Sequence, residues 1–190
     1  MITALVLLVL IIVVVGYSIG IYNGLVRVRA EVKLSWSNID VLLVQRHDEL
    51  PKLVETCRQY LQYEQQTLER VMQARAAVAG ARNSGNVAAL GAAESGLRTG
   101  LAGLFAVAEN YPDLKANQAF QHLQQRITDL EQTISDRREI YNEAVNINNV
   151  RIAAFPEVII ATRYGFNEAT FLHFDTQQKA DVDMKGLFAH

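Results

Sequence analysis

Apolar residues divide the chain into one continuous block at its start and a series of periodic segments after it. From Ile2 to Ile21 the sequence is almost wholly apolar. Twenty residues at about 1.5 Å rise per residue span roughly 30 Å, the thickness of one bilayer core. Tyr17 and Tyr22 lie near one end of the block, where amphipathic rings favour the headgroup level. The pattern predicts a single transmembrane anchor over residues 1–22.

The same block has an alternative reading as a cleavable secretory signal, because Ser18-x-Gly20 forms a small-x-small cleavage motif. A signal normally carries Lys or Arg before its apolar run, whereas here the basic residues follow it, at Arg27, Arg29 and Lys33. Under the positive-inside rule, this flank predicts that residues 27–190 lie in the cytoplasm.

Beyond the anchor, apolar residues recur at alternating steps of three and four, the period of a helix seam. One seam runs from Leu25 to Val71 and another from Phe120 to Phe155. Pro51 interrupts the first seam, so a kinked continuous helix and a tight break both remain open. No segment shows sustained strand alternation. The sequence predicts an all-α fold, in which a transmembrane helix is followed by an elongated antiparallel bundle of about four helices over residues 23–174.

The middle of the predicted bundle contains a loop followed by a helix that is rich in small residues. Turn residues cluster over 80–86 and predict the loop. In the helix that follows, Ala92, Gly96 and Gly100 recur four apart and flatten one face. Such a face allows another helix to approach closely, either within the bundle or in a second molecule.

The segment after Pro156 is apolar and aromatic without a helical period, and we expect it to cap one end of the bundle. The alternative is contact with lipid or a partner, since exposed aromatic clusters mark such surfaces. The candidate residues for this contact are Tyr164, Phe166, Phe171 and Phe174. Residues 175–190 are polar and predict a flexible tail.

Charged side chains interrupt the apolar seams at a few positions. Arg46 falls where the spacing calls for an apolar residue, and Arg137 and Arg138 interrupt the second seam. Because Asp40 and Asp48 lie near Arg46, we expect ion pairs between helices, which more often fix register than catalyse reactions. The candidate structural contacts of this kind are Asp40, Arg46, Asp48 and Arg138.

Three asparagines of the second seam recur at steps of four and three and share one helix face. These residues, Asn142, Asn146 and Asn149, present side-chain amides. The amides either hydrogen-bond a neighbouring helix or form a polar stripe that faces water. Both possibilities remain open at this point.

Composition excludes several classes of function. With 18 basic against 20 acidic residues, a net charge of −2 and no basic block, the chain lacks the electrostatic footprint of a nucleic-acid-binding protein. The single cysteine, Cys57, excludes an internal disulfide, and its core spacing favours a packed thiol over a reactive one.

Motifs that carry chemistry are also missing from the sequence. It contains no HExxH, no phosphate-binding GxxxxGK and no nucleophile-elbow GxSxG. The four histidines, His47, His122, His173 and His190, are scattered along the chain. We therefore expect no catalytic residue, no metal ion and no cofactor.

Several motifs follow one another over residues 22–41, 45–55, 111–120 and 138–145, with Phe155-Pro156 and Gly165-Phe166 completing the series. Together they resemble the LemA family of bacterial membrane-anchored helical proteins. The chain departs from the family pattern at Ala30, His47, Lys52 and Ile147-Asn148, which affects details of polar contacts between helices.

The resemblance implies an architecture rather than an activity. It is that of a single-pass protein of the bacterial inner membrane, and family members are often encoded near membrane proteases or other envelope proteins. It supplies no catalytic residues. The leading hypothesis is a non-enzymatic scaffold or adaptor that forms a homo-oligomer and presents a helical surface to such proteins. A sensor or ligand-binding bundle, and a hydrolase hidden around Arg46, Asp48 and Arg137, are the alternatives.

Overall fold

A computed structural model of the chain describes residues 1–173. Within that range the secondary structure is helical, without strands. The helices are α1 (Ile2–Arg58), α2 (Gln65–Asn83), α3 (Val87–Ala108), α4 (Pro112–Ala116), α5 (Gln118–Ala153) and α6 (Glu157–Tyr164). The all-α prediction is confirmed, and α1, α2, α3 and α5 are the four long helices. Phe174 and the tail expected over 175–190 lie outside the described residues.

Helix α1 runs without a break through Pro51, so the continuous helix is the correct one of the two possibilities. Its N-terminal part is long and apolar enough to cross a membrane. The large apolar side chains from Ile2 to Ile19 are open to the surroundings, with exposures from 51% at Val15 to 80% at Ile2. The exposed block changes to a one-sided seam at Leu25, the first fully buried leucine of the helix.

The chain divides into two compact units. The first unit consists of Met1–Leu53 with Gln121–Leu172, and the described part of the second consists of Val54–Phe120 with His173.

In the first unit, α1 and α5 pair in antiparallel orientation. The ring of Trp36 lies 5.4 Å from that of Tyr141, and Arg46 forms an ion pair with Glu131. Trp36 and Arg46 are ten residues apart on α1, and their partners Tyr141 and Glu131 are ten residues apart on α5 in the opposite direction. The two helices therefore keep the same register between these contacts. The predicted seams supply the buried residues of this unit, including Leu25, Ile39, Leu43, Leu50, Ile127, Ile134 and Val145.

In the second unit, α2 and α3 form a helical hairpin. The predicted loop over 80–86 is shorter than expected, because α2 continues through Asn83. Gly85 adopts a positive φ of 66°, which glycine tolerates without steric cost. The side chain of Asn86 then caps α3 by accepting a hydrogen bond from the backbone N–H of Ala89 at 3.0 Å.

Helix α5 begins where a second asparagine caps it. Asn117 accepts a hydrogen bond from the backbone N–H of Phe120 at 3.1 Å, while its amide donates to the hydroxyl of Tyr60 at 3.0 Å. The helix ends at Ala153, two residues before the Phe155-Pro156 peptide bond, which is cis.

The segment after Pro156 shows no helical period in the sequence, yet its first half is helical. Residues Glu157–Tyr164 form α6. Glu157 in the first turn and Arg163 in the last turn complement the helix dipole, and Gly165 ends the helix in the left-handed conformation at φ 69°. Eight residues cover barely two turns, which is too short for an apolar period to be recognised. Residues 167–172 then continue without helical structure.

Candidate functional site

The end of the first unit beside the apolar block of α1 contains an ion pair, an aromatic cluster and a groove. The apolar block itself meets the demands of a lipid environment. Its one serine, Ser18, donates a hydrogen bond from its hydroxyl to the carbonyl of Val14 at 2.8 Å, so this polar group is satisfied inside the helix.

Arg151, near the end of α5, ties together three helices at the border of this block. Its guanidinium forms a bidentate ion pair with Glu157 of α6, with Nε 3.1 Å from each carboxylate oxygen. Nη1 also donates to the backbone carbonyl of Gly24 at 3.3 Å. The hydrogen bond that Arg151 donates to Glu157 is the main reason that the pKa of Arg151 is raised above its ordinary value.

Gly24 leaves room for this approach. A Cβ atom at this position would lie 2.7 Å from Nη2 of Arg151. Any other residue at position 24 therefore requires the guanidinium to shift.

An aromatic cluster forms next to this ion pair. The ring of Tyr22 lies 5.0 Å from that of Tyr164 and 5.7 Å from that of Phe166, both in edge-to-face geometry. Two of the four aromatic candidates thus meet at the end of the apolar block. Phe171 is half-buried in the segment that follows.

A groove of about 340 Å³ opens between α1 and α6 beside the cluster. We call it the membrane-proximal groove. It is lined by Val15, Ser18, Ile19, Tyr22, Ile160 and Tyr164. Beneath it, Ala161 packs in a buried cluster with Leu25 and Ile152, which holds α6 against α1 and α5.

The asparagine face of α5 binds a non-helical segment, which we call the strap (residues 167–172). Asn142 accepts from the backbone N–H of Leu172 at 2.9 Å and donates to the carbonyl of the same residue at 3.0 Å. Asn149 makes the same pair of bonds with Ala169, both at 2.9 Å. Each amide therefore satisfies both backbone groups of one strap residue, as a neighbouring strand would.

Two further side chains of α5 hold the strap. The hydroxyl of Tyr141 donates to the carbonyl of Thr170 at 2.8 Å, and burial raises the pKa of this phenol. Asn148, which the sequence did not single out, is 4% exposed and donates to the carbonyl of Asn167 at 3.3 Å. Asn146, which the sequence did single out, is exposed. The partner of the asparagine face is thus neither a helix nor bulk water.

The charged candidates do not gather in one cluster. Arg46 is 1% exposed and pairs with Glu131, which is 19% exposed. Asp48 and Arg137 are exposed, whereas Asp40 and Arg138 are half-buried and each engage a partner. A buried arginine with its carboxylate suits a register device between two helices. Within residues 1–173, no group of three or more metal-ligating side chains is placed to hold a metal ion.

The second unit contains a buried thiol and an open groove. Cys57 is fully buried, and burial raises the pKa of its thiol to about 12. A groove of about 580 Å³ opens between α2 and α3, and its lining includes Ala74, Ala77, Gly96, Thr99, Gly100 and Gly103. We call it the α2–α3 groove. Two of the small residues predicted from the sequence have different surroundings. A Cβ atom added at Gly100 would lie 3.7 Å from the side chain of Val71 on the neighbouring helix, whereas a Cβ atom added at Gly96 would have no atom within 4 Å.

The family model of the LemA family matches residues 35–185. The chain belongs to the LemA family. Helix α1 contains an apolar block that is long enough to cross a membrane. The chain is therefore a membrane-associated helical protein of that family.

Three similar proteins are magnetosome proteins. Magnetosome proteins MamQ 1 and MamQ 2 of Paramagnetospirillum magneticum (strain ATCC 700264 / AMB-1) are each 33% identical over 87 residues, 46% of this chain and 32% of the relative. Magnetosome protein MamQ of Magnetospirillum gryphiswaldense (strain DSM 6361 / JCM 21280 / NBRC 15271 / MSR-1) is 29% identical over 85 residues, 45% of this chain and 31% of the relative. The LemA chain thus matches about a third of the length of each.

Proposed function

We propose that this LemA-family protein is a single-pass, non-enzymatic scaffold or adaptor of the bacterial inner membrane. In this proposal residues 1–22 are the anchor and residues 23–174 form the helical domain, followed by a tail over 175–190. The domain self-associates and presents a helical surface to other membrane or envelope proteins.

The observation that carries the proposal is the continuity of α1. One helix without a break contains the exposed apolar block and, from Leu25 onward, the buried seam that pairs with α5. A domain joined to its anchor by a flexible linker can reorient freely, whereas a domain joined by a continuous helix keeps a fixed orientation relative to the membrane. A fixed orientation favours ordered contacts with neighbouring proteins in the same membrane.

The α2–α3 groove supports self-association. Small residues along a helix allow a second helix to approach closely. At Gly96 and Gly103 an added Cβ atom would meet nothing within 4 Å, so these positions have room for side chains from another molecule. We propose that the groove receives a helix of a second copy.

The basic flank supports a cytoplasmic orientation. Arg27, Arg29 and Lys33 follow the apolar block within about 18 Å along α1, and all three side chains are exposed. Lys and Arg at this distance from a span favour the cytoplasmic side.

Self-association is tested by measuring particle mass for the full-length chain in mild detergent. We expect wild type to exceed the monomer mass and Gly96→Leu and Gly103→Leu to shift it towards the monomer. Ala102→Leu is the matched control, because Ala102 is exposed on α3 and does not line the groove. A monomer for wild type would refute self-association, and equal effects of all three leucines would remove the groove from the proposal.

Orientation is tested with a single reactive cysteine. Ala102→Cys introduces an exposed thiol, whereas the buried Cys57 stays silent. A membrane-impermeant maleimide should label the variant only after intact cells are permeabilised. Labelling of intact cells would place the domain outside the cytoplasm and favour the sensor alternative.

A further inference from the structure

Helix α6 contacts α1 beside the last turns of the apolar block. The membrane-proximal groove is lined on the α1 side by Val15, Ser18 and Ile19, which lie within the last turns of the apolar block. On the α6 side it is lined by Ile160 and Tyr164. If α1 crosses a bilayer, the hydrocarbon that surrounds Val15 and Ile19 also reaches the side chains of α6.

Large apolar side chains are exposed on and beside α6 as well. Ile159 is 58% exposed and Tyr164 is 61% exposed, and Phe155, just before the helix, is 82% exposed. Water-exposed side chains of this size are costly in a group, and such a group marks a surface that contacts lipid or protein. Tyr164 lines the membrane-proximal groove together with Val15 and Ile19 of the anchor.

The polar residues nearby fit the headgroup layer. Tyr22 and Tyr164 stack edge to face at 5.0 Å, and tyrosine rings are enriched at membrane interfaces. Arg27, Arg29 and Arg163 are exposed and complement the phosphates of anionic lipids. The acidic residue of α6, Glu157, is neutralised by its ion pair with Arg151 and so does not oppose this contact.

We propose that α6 is a second membrane contact that lies in the interface of the leaflet where the apolar block ends. In this arrangement an acyl chain of a phospholipid of that leaflet occupies the membrane-proximal groove, and Phe155 and Ile159 insert beside it. The proposal requires that α1 spans the membrane but not that the protein self-associates.

The experiment measures how deeply selected positions enter the bilayer. Trp36 is the only tryptophan of the chain, so Trp36→Phe gives a background without tryptophan fluorescence. Ile159→Trp then reports on α6. Each variant is reconstituted as one full-length chain per nanodisc of phosphatidylcholine and phosphatidylglycerol, with bromine atoms on the acyl chains as short-range quenchers.

Two reference positions calibrate the quenching measured at Ile159→Trp. Val9→Trp lies in the middle of the apolar block and shows whether α1 is inserted. Ile140→Trp is the negative control, because Ile140 is 47% exposed on α5 and its neighbour Tyr141 contacts Trp36, about 22 Å along α1 beyond Ile21. Helicity of every variant is checked by circular dichroism.

With strong quenching at Val9→Trp, we expect Ile159→Trp to reach at least half of that quenching and Ile140→Trp to stay near the value in unbrominated lipid. Quenching of Ile159→Trp no greater than that of Ile140→Trp would overturn the proposal. If Ile159→Trp does not fold, Phe155→Trp serves for the same measurement. Neither result depends on the oligomer mass that tests the proposed function.

Discussion

The hydrogen bonds between α5 and the strap make a local prediction that can be measured residue by residue. The perturbation is Asn142→Ala. It removes the amide that accepts from the backbone N–H of Leu172 and donates to its carbonyl. The matched control is Asn146→Ala, which changes the same residue type on the same helix at an exposed position.

The magnitude follows from the two bonds that are lost. A typical intramolecular hydrogen bond contributes about 0.5–1.5 kcal/mol net, so the pair at Leu172 contributes about 1–3 kcal/mol. The upper part of this range applies, because the Leu172 side chain is 1% exposed and its surroundings offer little water to replace the amide. A loss of about 2–3 kcal/mol corresponds to roughly 30- to 150-fold in the equilibrium for local opening.

Amide hydrogen exchange of the full-length protein in detergent measures this opening. We expect the Leu172 amide of Asn142→Ala to exchange faster by that factor. The Ala169 amide should change less, because Asn149 still holds it at 2.9 Å. Asn146→Ala should leave both amides at their wild-type rates.

A second variant separates the loss of bonds from the loss of side-chain volume. Asn142→Asp keeps the shape and the acceptor but turns the donor into an anionic oxygen that faces the Leu172 carbonyl. This repulsion should raise the folded-state pKa of the new carboxyl above its unfolded value, so the strap should be weakest at neutral pH and recover as the pH falls. Unchanged exchange at Leu172 in both variants would refute the reasoning, as would equal acceleration in Asn146→Ala.

Three further predictions concern the packing of the helices. Glu131→Gln removes the charge opposite a buried arginine and should lower the free energy of unfolding by about 3 kcal/mol. Urea titration checks this, and a loss below that of an exposed Glu→Gln control would contradict it. Because burial raises the pKa of the Cys57 thiol from its ordinary 9.0 to about 12, only the unfolded state releases this proton between those pH values. Unfolding should therefore become easier as the pH rises through that range, and a maleimide should modify Cys57 only after unfolding; rapid native labelling would disprove its burial. Gly91→Ala would place a Cβ atom against the backbone carbonyl of His173 and should destabilise by about 1–3 kcal/mol. Gly96→Ala meets open space and should instead stabilise by about 0.5–1 kcal/mol through helix propensity. Thermal melts that rank these two variants in the opposite order would contradict the packing.

The long helices could be predicted because their apolar period extends over many turns. Leu25, Ile39 and Leu43 are buried where the seam in α1 requires them, and Arg46 is conspicuous because it interrupts that seam. The same period continues across Pro51, yet period alone leaves a kinked helix and a break equally open. The structure decides between them.

The missed features depend on contacts between distant parts of the chain. A helical period identifies the face to which Asn142 and Asn149 belong, but it carries no information about the partner of that face. The strap lies 20 to 30 residues later along the chain. The ion pair of Arg151 with Glu157 likewise joins residues on either side of a turn, where no period relates them. For α6, the sequence offers only the residues at its two ends as helix signals, namely the acidic Glu157 in the first turn and Gly165 at the C-terminal cap.

The asparagines of α5 bond only backbone groups of the strap. Asn142 and Asn149 are seven residues apart, which is about 10.5 Å along a helix, and their partners Leu172 and Ala169 are three residues apart in the strap. Each amide bonds both the backbone N–H and the carbonyl of its partner. Because no strap side chain takes part in these bonds, substitutions at Ala169 other than proline, which lacks a backbone N–H, leave its pairing groups in place.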